Sequence, residues 1–255
     1  MTLDDILRVL RQLAPEETAL PDDPVGLLLG QKPETEIRKI GVCLDATPNT
    51  AQRAVALGAG LLVAHHPLIY HPLKRIAPDD PISQSVSTLI KGDVALYAMH
   101  TNWDRAENGI NDTLAALLGL ENIRPLGDDG AQSLPRLGDL PSPRALSDFA
   151  RFVGTALHCK GTSALRVNAV DPAQRIARVA VCGGAGAFLA ADVQAAGVDA
   201  YVTSDVRHHE FLEAAARGLA LLDAGHGATE TPGMQALLTL LPPLLPGVDV
   251  VWAGE

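Results

Sequence analysis

The 255-residue sequence contains only three cysteines, Cys43, Cys159 and Cys182, and no two of them form a CxxC pair. An odd number without that spacing excludes a disulfide framework and a zinc knuckle, and it suits a reducing, cytoplasmic setting. Aromatic residues make up just 4% of the chain, so aliphatic side chains must fill any core. No run approaches the roughly 18–20 apolar residues of a membrane span. The acidic start, with Asp4 and Asp5, lacks the basic and apolar stretches of a signal peptide. Basic residues are outnumbered 20 to 30 by acidic ones, a net charge of −10. That balance argues against a broad phosphate-binding surface, and so against nucleic acid as a partner.

What is present is alternation. Residues 37–44, 61–64, 94–99, 164–170, 176–181, 198–203 and 220–223 read as strands, mostly aliphatic, with helical patterns between them. Such alternation predicts an α/β fold with mostly parallel or mixed sheets covered on both faces. Thr2 with Asp5 spells a capping box, and Asp80-Pro81 a helix start. Residues 124–143 are rich in Gly, Pro and Asp and are read as the connection between a first lobe, 1–124, and a second, 125–255. A last helix is expected over about 233–241 and an edge strand over 248–252.

The two halves also resemble each other. IRKIGVCL begins at Ile37 and IARVAVCG at Ile176, 139 positions apart, and Gly58 and Gly197 keep the same offset. In this comparison His65 and His66 face Ser204 and Asp205. A looser match pairs the segment from Ala95 to Asp104 with that from Ala220 to Glu230, each with a histidine just after a strand and an acid four residues later.

Three strand ends thus offer His65, His66, His100, Asp104, His226 and Glu230. Ligands gather beyond the carboxyl ends of strands in α/β sheets. Clustered imidazole and carboxylate suit zinc, manganese, iron, cobalt or nickel better than calcium or magnesium. The number of donors makes a two-metal site plausible, with ions about 3.5–4 Å apart and a water polarised between them.

The segments HHPL (65–68), HTNWD (100–104), TSDVRHHEFLEA (203–214) and GHGATE (225–230) resemble the signatures of the NIF-three-like proteins. These are also called dinuclear-metal-centre hexameric proteins and carry the name GTP cyclohydrolase I type 2. The resemblance implies two related, intertwined α/β/α lobes with a metal cleft between them. It also implies two divalent metal ions per chain and a toroidal homohexamer, a trimer of dimers. Carried over by motif, the metal ligands are His65, His66, Asp104, His226 and Glu230, with Glu230 as the bridging carboxylate. His100 falls outside that set and is placed beside it, orienting a ligand or moving a proton. The implied reaction is hydrolytic opening of the imidazole ring of GTP, giving formate and dihydroneopterin triphosphate. The same donors would serve a phosphoesterase or amidohydrolase acting on a small molecule or nucleotide. A non-catalytic metal-binding or interaction scaffold is the alternative. Two departures bear on the substrate: the family's Trp-Asp-Asn-x-Gly-Leu reads Asp22-Asp23-Pro24-Val25-Gly26-Leu27, and its Thr-Gly-Asp reads Thr203-Ser204-Asp205.

Other candidates have bland counterparts. His208 and His209 are acid–base groups or solvated residues at a helix start. The loop 182–186 is a phosphate cradle or, by weight of its missing P-loop ending, a tight turn. Trp103 stacks on a base or packs its loop, and Lys74 with Arg75 meets a phosphate or is solvated.

Overall fold

The computed structural model describes residues 1–127, 133–159 and 164–255. They form two compact units, Met1–Ala106 with Met234–Glu255, and Glu107–Gly233. The second unit is therefore an insertion in the first. In chain order the first unit carries α1 (Leu3–Leu13), β1 (Gly26–Leu29), β2 (Lys39–Cys43), α2 (Pro48–Ala56), β3 (Leu61–Ala64), α3 (Pro81–Lys91), β4 (Ala95–Ala98) and α4 (Thr101–Arg105). The second carries α5 (Ile110–Leu117), β5 (Glu121–Pro125), β6 (Arg136–Ala145), α6 (Leu146–Ala156), β7 (Arg166–Val167), β8 (Arg175–Val181), α7 (Ala190–Ala195), β9 (Ala200–Thr203), α8 (His208–Ala216) and β10 (Ala220–Asp223). The helix α9 (His226–Leu240) then carries the chain back, and β11 (Asp249–Trp252) follows it.

Local signals explain several of these starts. Thr2 Oγ1 accepts from the Asp5 N–H and Asp5 Oδ2 from the Thr2 N–H, each at 3.2 Å, closing the capping box that opens α1. Leu3, Ile6, Leu7 and Leu10 recur at helical spacing and are buried. Each fully buried Leu or Ile of this kind contributes about 1.5–3 kcal/mol. Asp80 Oδ2 likewise accepts from the Ser83 N–H at 2.8 Å and starts α3.

The first unit holds a five-stranded sheet in the order β1-β4-β3-β2-β11, parallel except for β1. The second holds six strands in the order β5-β6-β8-β9-β10-β7, of which β8, β9 and β10 are mutually parallel. Both sheets are mixed, as the alternation predicts. The duplication is visible in the register. Ile40 pairs with Leu61 and Leu61 with Ala95 in the first sheet. Val179, 139 positions beyond Ile40, pairs with Ala200, and Ala200 with Ala220. Gly58 and Gly197, at the same offset, adopt φ of +70° and +72° at the turn before the middle strand, where a side chain would be strained.

Both faces of the second sheet are covered at its parallel strands β8, β9 and β10, which are mainly apolar. Val179, Val202 and Leu222 pack with Leu114, Phe149 and Val153 on one side. Ala180, Tyr201 and Leu221 pack with Val193, Val206 and Ala214 on the other.

Three elements differ from expectation. Residues 124–143 belong largely to the antiparallel strands β5 and β6 (128–132 lie outside the described residues). Pro141 and Pro143 escape the usual exclusion of proline from a strand because the ladder shifts register between Asp139 and Arg144. The strand expected over 164–170 shortens to the two residues of β7. The last helix begins at His226, not near Gly233, and carries Pro232 inside it. Proline removes one backbone bond and usually ends a helix, which is why the sequence read as loop up to that point.

Candidate metal centre

In the first unit, β3 ends at Ala64 and the next two residues cross toward β2. The His65 N–H reaches the carbonyls of Cys43 and Leu44 at 3.2 and 3.1 Å, and the His66 N–H reaches that of Leu44 at 3.1 Å. These bonds fix the backbone from which both imidazoles project. His65 is fully buried, and its Nδ1 lies 2.7 Å from the carbonyl of Met99. A carbonyl only accepts, so Nδ1 carries the proton and Nε2 presents a lone pair. The same device recurs twice. His66 Nδ1 lies 2.8 Å from Asp45 Oδ1, and His100 Nδ1 lies 2.8 Å from Asp23 Oδ1. Ring centroids of His65 lie 4.9 Å from His66 and 5.1 Å from His100. One donor atom from each of the three rings falls within 4.8 Å of the others. The resemblance puts His100 beside the ligand set; here its ring joins the same grouping. Asp104, buried on α4, brings Oδ1 to 3.7 Å from His65 Nε2.

Asp23 is the hub of this half. Its Oδ2 also accepts from Thr101 Oγ1 at 2.5 Å and from the Thr101 N–H at 3.2 Å. Burial disfavours its charge, but the bonds from His100 and Thr101 and the attraction of His100 outweigh that penalty and hold the carboxyl below its ordinary range.

In the second unit, His226 and Glu230 stand one turn apart on α9, with Nε2 and Oε1 separated by 3.1 Å. Asp205 Oδ2 lies 2.5 Å from His226 Nδ1 and so directs that proton away from Glu230. Asp205 takes φ of +55°, a left-handed conformation that Asp tolerates better than most residues and that here aims its carboxylate. In the internal repeat Asp205 is the counterpart of His66. The first unit thus uses that strand end for a donor ring, and the second uses it to orient one.

The donor chemistry fits a divalent transition metal. His226 and Glu230, and likewise His65 and Asp104, set a ring nitrogen whose proton lies on its far side against a carboxylate oxygen. Two groups so placed can share a cation. Their separations match ligands each about 2.0–2.2 Å from one ion. Hydrogen bonds from the opposite ring nitrogen to carboxylate or carbonyl are the usual support of metal-binding histidines.

The glycines of the loop 182–186 make room for this arrangement. A Cβ on Gly184, whose φ is +63°, would collide with Glu230 Oε1. The loop's amides are engaged: Gly183 N–H bonds Asn111 Oδ1 at 2.6 Å, Gly184 N–H bonds Thr229 Oγ1 at 3.0 Å and Gly186 N–H bonds Thr203 Oγ1 at 3.0 Å. The loop is the tight turn, with no fan of amides left for a phosphate. Trp103 is fully buried, a packing residue. Arg75 pairs with Asp79 on the surface. His208 and His209 are both exposed on the first turn of α8. Burial pushes the Cys43 thiol well above its usual range, which removes it as a nucleophile.

Sequence reasoning assigned no role to Asp23, Asp45 or the Met99 carbonyl, and noted Asp205 only as part of a motif. Asp45 and Asp205 follow strand ends, which was the available signal.

Comparisons with known proteins agree with this architecture. A profile of the family described as Duf34/NIF3 (NGG1p interacting factor 3) matches residues 1–252. A Streptomyces coelicolor protein named GTP cyclohydrolase 1 type 2 homolog is 40% identical over 236 residues, covering 90% of this chain and 82% of its own. NIF3-like protein 1 of Drosophila melanogaster is 30% identical over 254 residues, covering 98% of this chain and 85% of its own. Among solved structures, reduced HcgD from Methanocaldococcus jannaschii superposes with a TM-score of 0.83 at 29% identity, covering 99% of this chain and 98% of its own. A Bacillus cereus protein related to NIF3 shares the fold, with a TM-score of 0.88 at 23% identity over 100% and 96% of the two chains. With a match to nearly every residue and relatives at this identity, the chain belongs to the Duf34/NIF3 family.

Proposed function

We propose that this chain is a dinuclear-metal-dependent hydrolase of a small molecule or nucleotide. The observation that carries the reading is the repeated anchoring of Nδ1 in His65, His66, His100 and His226, which turns Nε2 of each ring away from its anchor, where it can ligate a metal or transfer a proton. In this assignment His65, His66, Asp104, His226 and Glu230 would hold the metals. Divalent ions bound there supply a water of lowered pKa and offset negative charge that develops on the substrate. His100, anchored on Asp23, accepts the proton from the attacking water at Nε2 and returns it to the leaving group. Buried Asp104 and Glu230 keep two carboxylates in a setting where their charge favours cation binding.

Relatives named GTP cyclohydrolase 1 type 2 homolog support GTP as the first substrate to try. The homohexamer and a cytoplasmic setting belong to the same proposal; light scattering on the purified chain reads the former.

The test is metal content by mass spectrometry on protein purified without added metal, for the native chain and Glu230→Ala, followed by formate release from GTP and phosphate release from phosphoesters. About two equivalents, falling in the variant, with turnover that falls alongside, supports the hydrolase. Metal without turnover on any of these substrates is the outcome of a carrier. A native chain that takes up neither zinc nor manganese refutes both.

A further inference from the structure

The internal repeat keeps a cavity at the same point of each unit. In the first, about 280 Å³ lies among the start of α2, the loop after β3 and the start of α3, walled by Ala46, Pro48, Pro67, Leu68, Pro81 and Ile82, with His66 at its edge. In the second, about 230 Å³ is lined by Ala185, Ala187, Asp205 and Arg207 among others, the residues 139 positions beyond Ala46, Pro48, His66 and Leu68. Each cavity lies beyond the carboxyl ends of parallel strands, where such folds bind ligands. Each also reaches a proposed donor of its own unit, the first directly at His66 and the second through Asp205, the partner of His226.

We propose that the first-unit cavity binds an uncharged ring of the substrate, placing the scissile group at His66. This rests on the hydrolase reading above and names the substrate class for it. No Lys or Arg lines the cavity, and its one charged wall residue besides the histidine is the carboxylate of Asp45. A phosphate chain therefore has no partner there and a repulsive neighbour. The polar groups are already engaged. Asp45 Oδ1 faces His66 Nδ1, Thr47 Oγ1 accepts from the Thr50 N–H at 3.1 Å, and Ser85 Oγ donates to the Pro81 carbonyl at 3.2 Å. Selection is left to shape and apolarity. Three of the walls are prolines with fixed φ, so the cavity is preformed and orders little on binding. At ~30 Å³ for each displaced water, the space holds about nine waters, the size of a one- or two-ring heterocycle. The copy in the second unit has diverged: Arg207 replaces Leu68 and pairs with Glu210 at 2.9 Å, so charged side chains line that cavity.

Saturation-transfer NMR on the full chain tests this, with indole, guanosine and inorganic triphosphate as probes, metal-free and zinc-loaded. The variants are Ile82→Trp, which fills the cavity from a position 38% exposed, and Leu68→Lys, which charges it. Indole and guanosine bind the native chain in both metal states and weaken by about tenfold or more in both variants. The triphosphate response is unchanged by Ile82→Trp. Circular dichroism and zinc uptake of each variant match the native chain. Ring probes that fail to bind, or that bind the variants as tightly as the native chain, overturn the proposal. Failure to take up zinc with ring binding intact overturns the hydrolase reading alone, so the two fail separately. Should one variant misfold, the other decides.

Discussion

Asp205 Oδ2 lies 2.5 Å from Nδ1 of His226, 21 residues further along the chain, while Nε2 of the same ring lies 3.1 Å from Glu230 Oε1. The acid thus sets which nitrogen faces the carboxylate. Asp205→Ala should weaken metal binding by about 10–100-fold, and Asp205→Asn, which still accepts a hydrogen bond, should recover part of the loss. Competition against a chelating dye measures both. Equal affinity in all three proteins would show that the pairing orients nothing.

Geometry alone restricts position 184 to glycine: its φ is +63° and any Cβ there meets Glu230 Oε1. Gly184→Ala should displace the Glu230 carboxylate and lower metal content without removing a ligand. Mass spectrometry of the purified variant reads the stoichiometry, and a crystal structure reads the displacement. Native metal content with Glu230 unmoved would contradict the steric account.

Phe149 is fully buried on α6 against Leu114, Val179 and Val202. Phe149→Ala leaves a cavity and should cost about 3–5 kcal/mol of stability. Urea unfolding measures it. A loss under about 1 kcal/mol would mean that the site collapses around the missing ring.

Asp80 caps α3, its Oδ2 accepting from the Ser83 N–H at 2.8 Å and from Ser83 Oγ at 2.6 Å, and these bonds hold its carboxyl below the ordinary value of 3.8. A depressed folded value means stability that is present above the unfolded value near ~3.9 and is lost as pH falls through the folded one. Asp80→Ala should therefore melt at a lower temperature than the native chain at neutral pH, and the gap should close in strong acid. Melting curves from pH 7 down to about 2 check the sign. A gap independent of pH would assign the effect to helix propensity in place of the cap.

The chain's order of residues already carried the α/β class, seven of its strands and every proposed metal donor. Those features are local. A strand ends within one or two residues of its histidines at His65 and His100, and period, punctuation and side-chain chemistry are all legible within a short window. The groups that make these histidines into ligands are not local. Met99 lies 34 residues from His65, Asp23 lies 77 from His100, and Asp45 and Asp205 each lie 21 from their rings. The strands β5 and β6 and the true start of α9 escaped for a related reason. There, proline and glycine signalled breaks that a register shift and the surrounding packing override. A hydrogen bond acts over about 3 Å of space, whatever length of chain lies between its ends. Which acid faces which imidazole was settled only when the strands took their order in each sheet and brought those ends together.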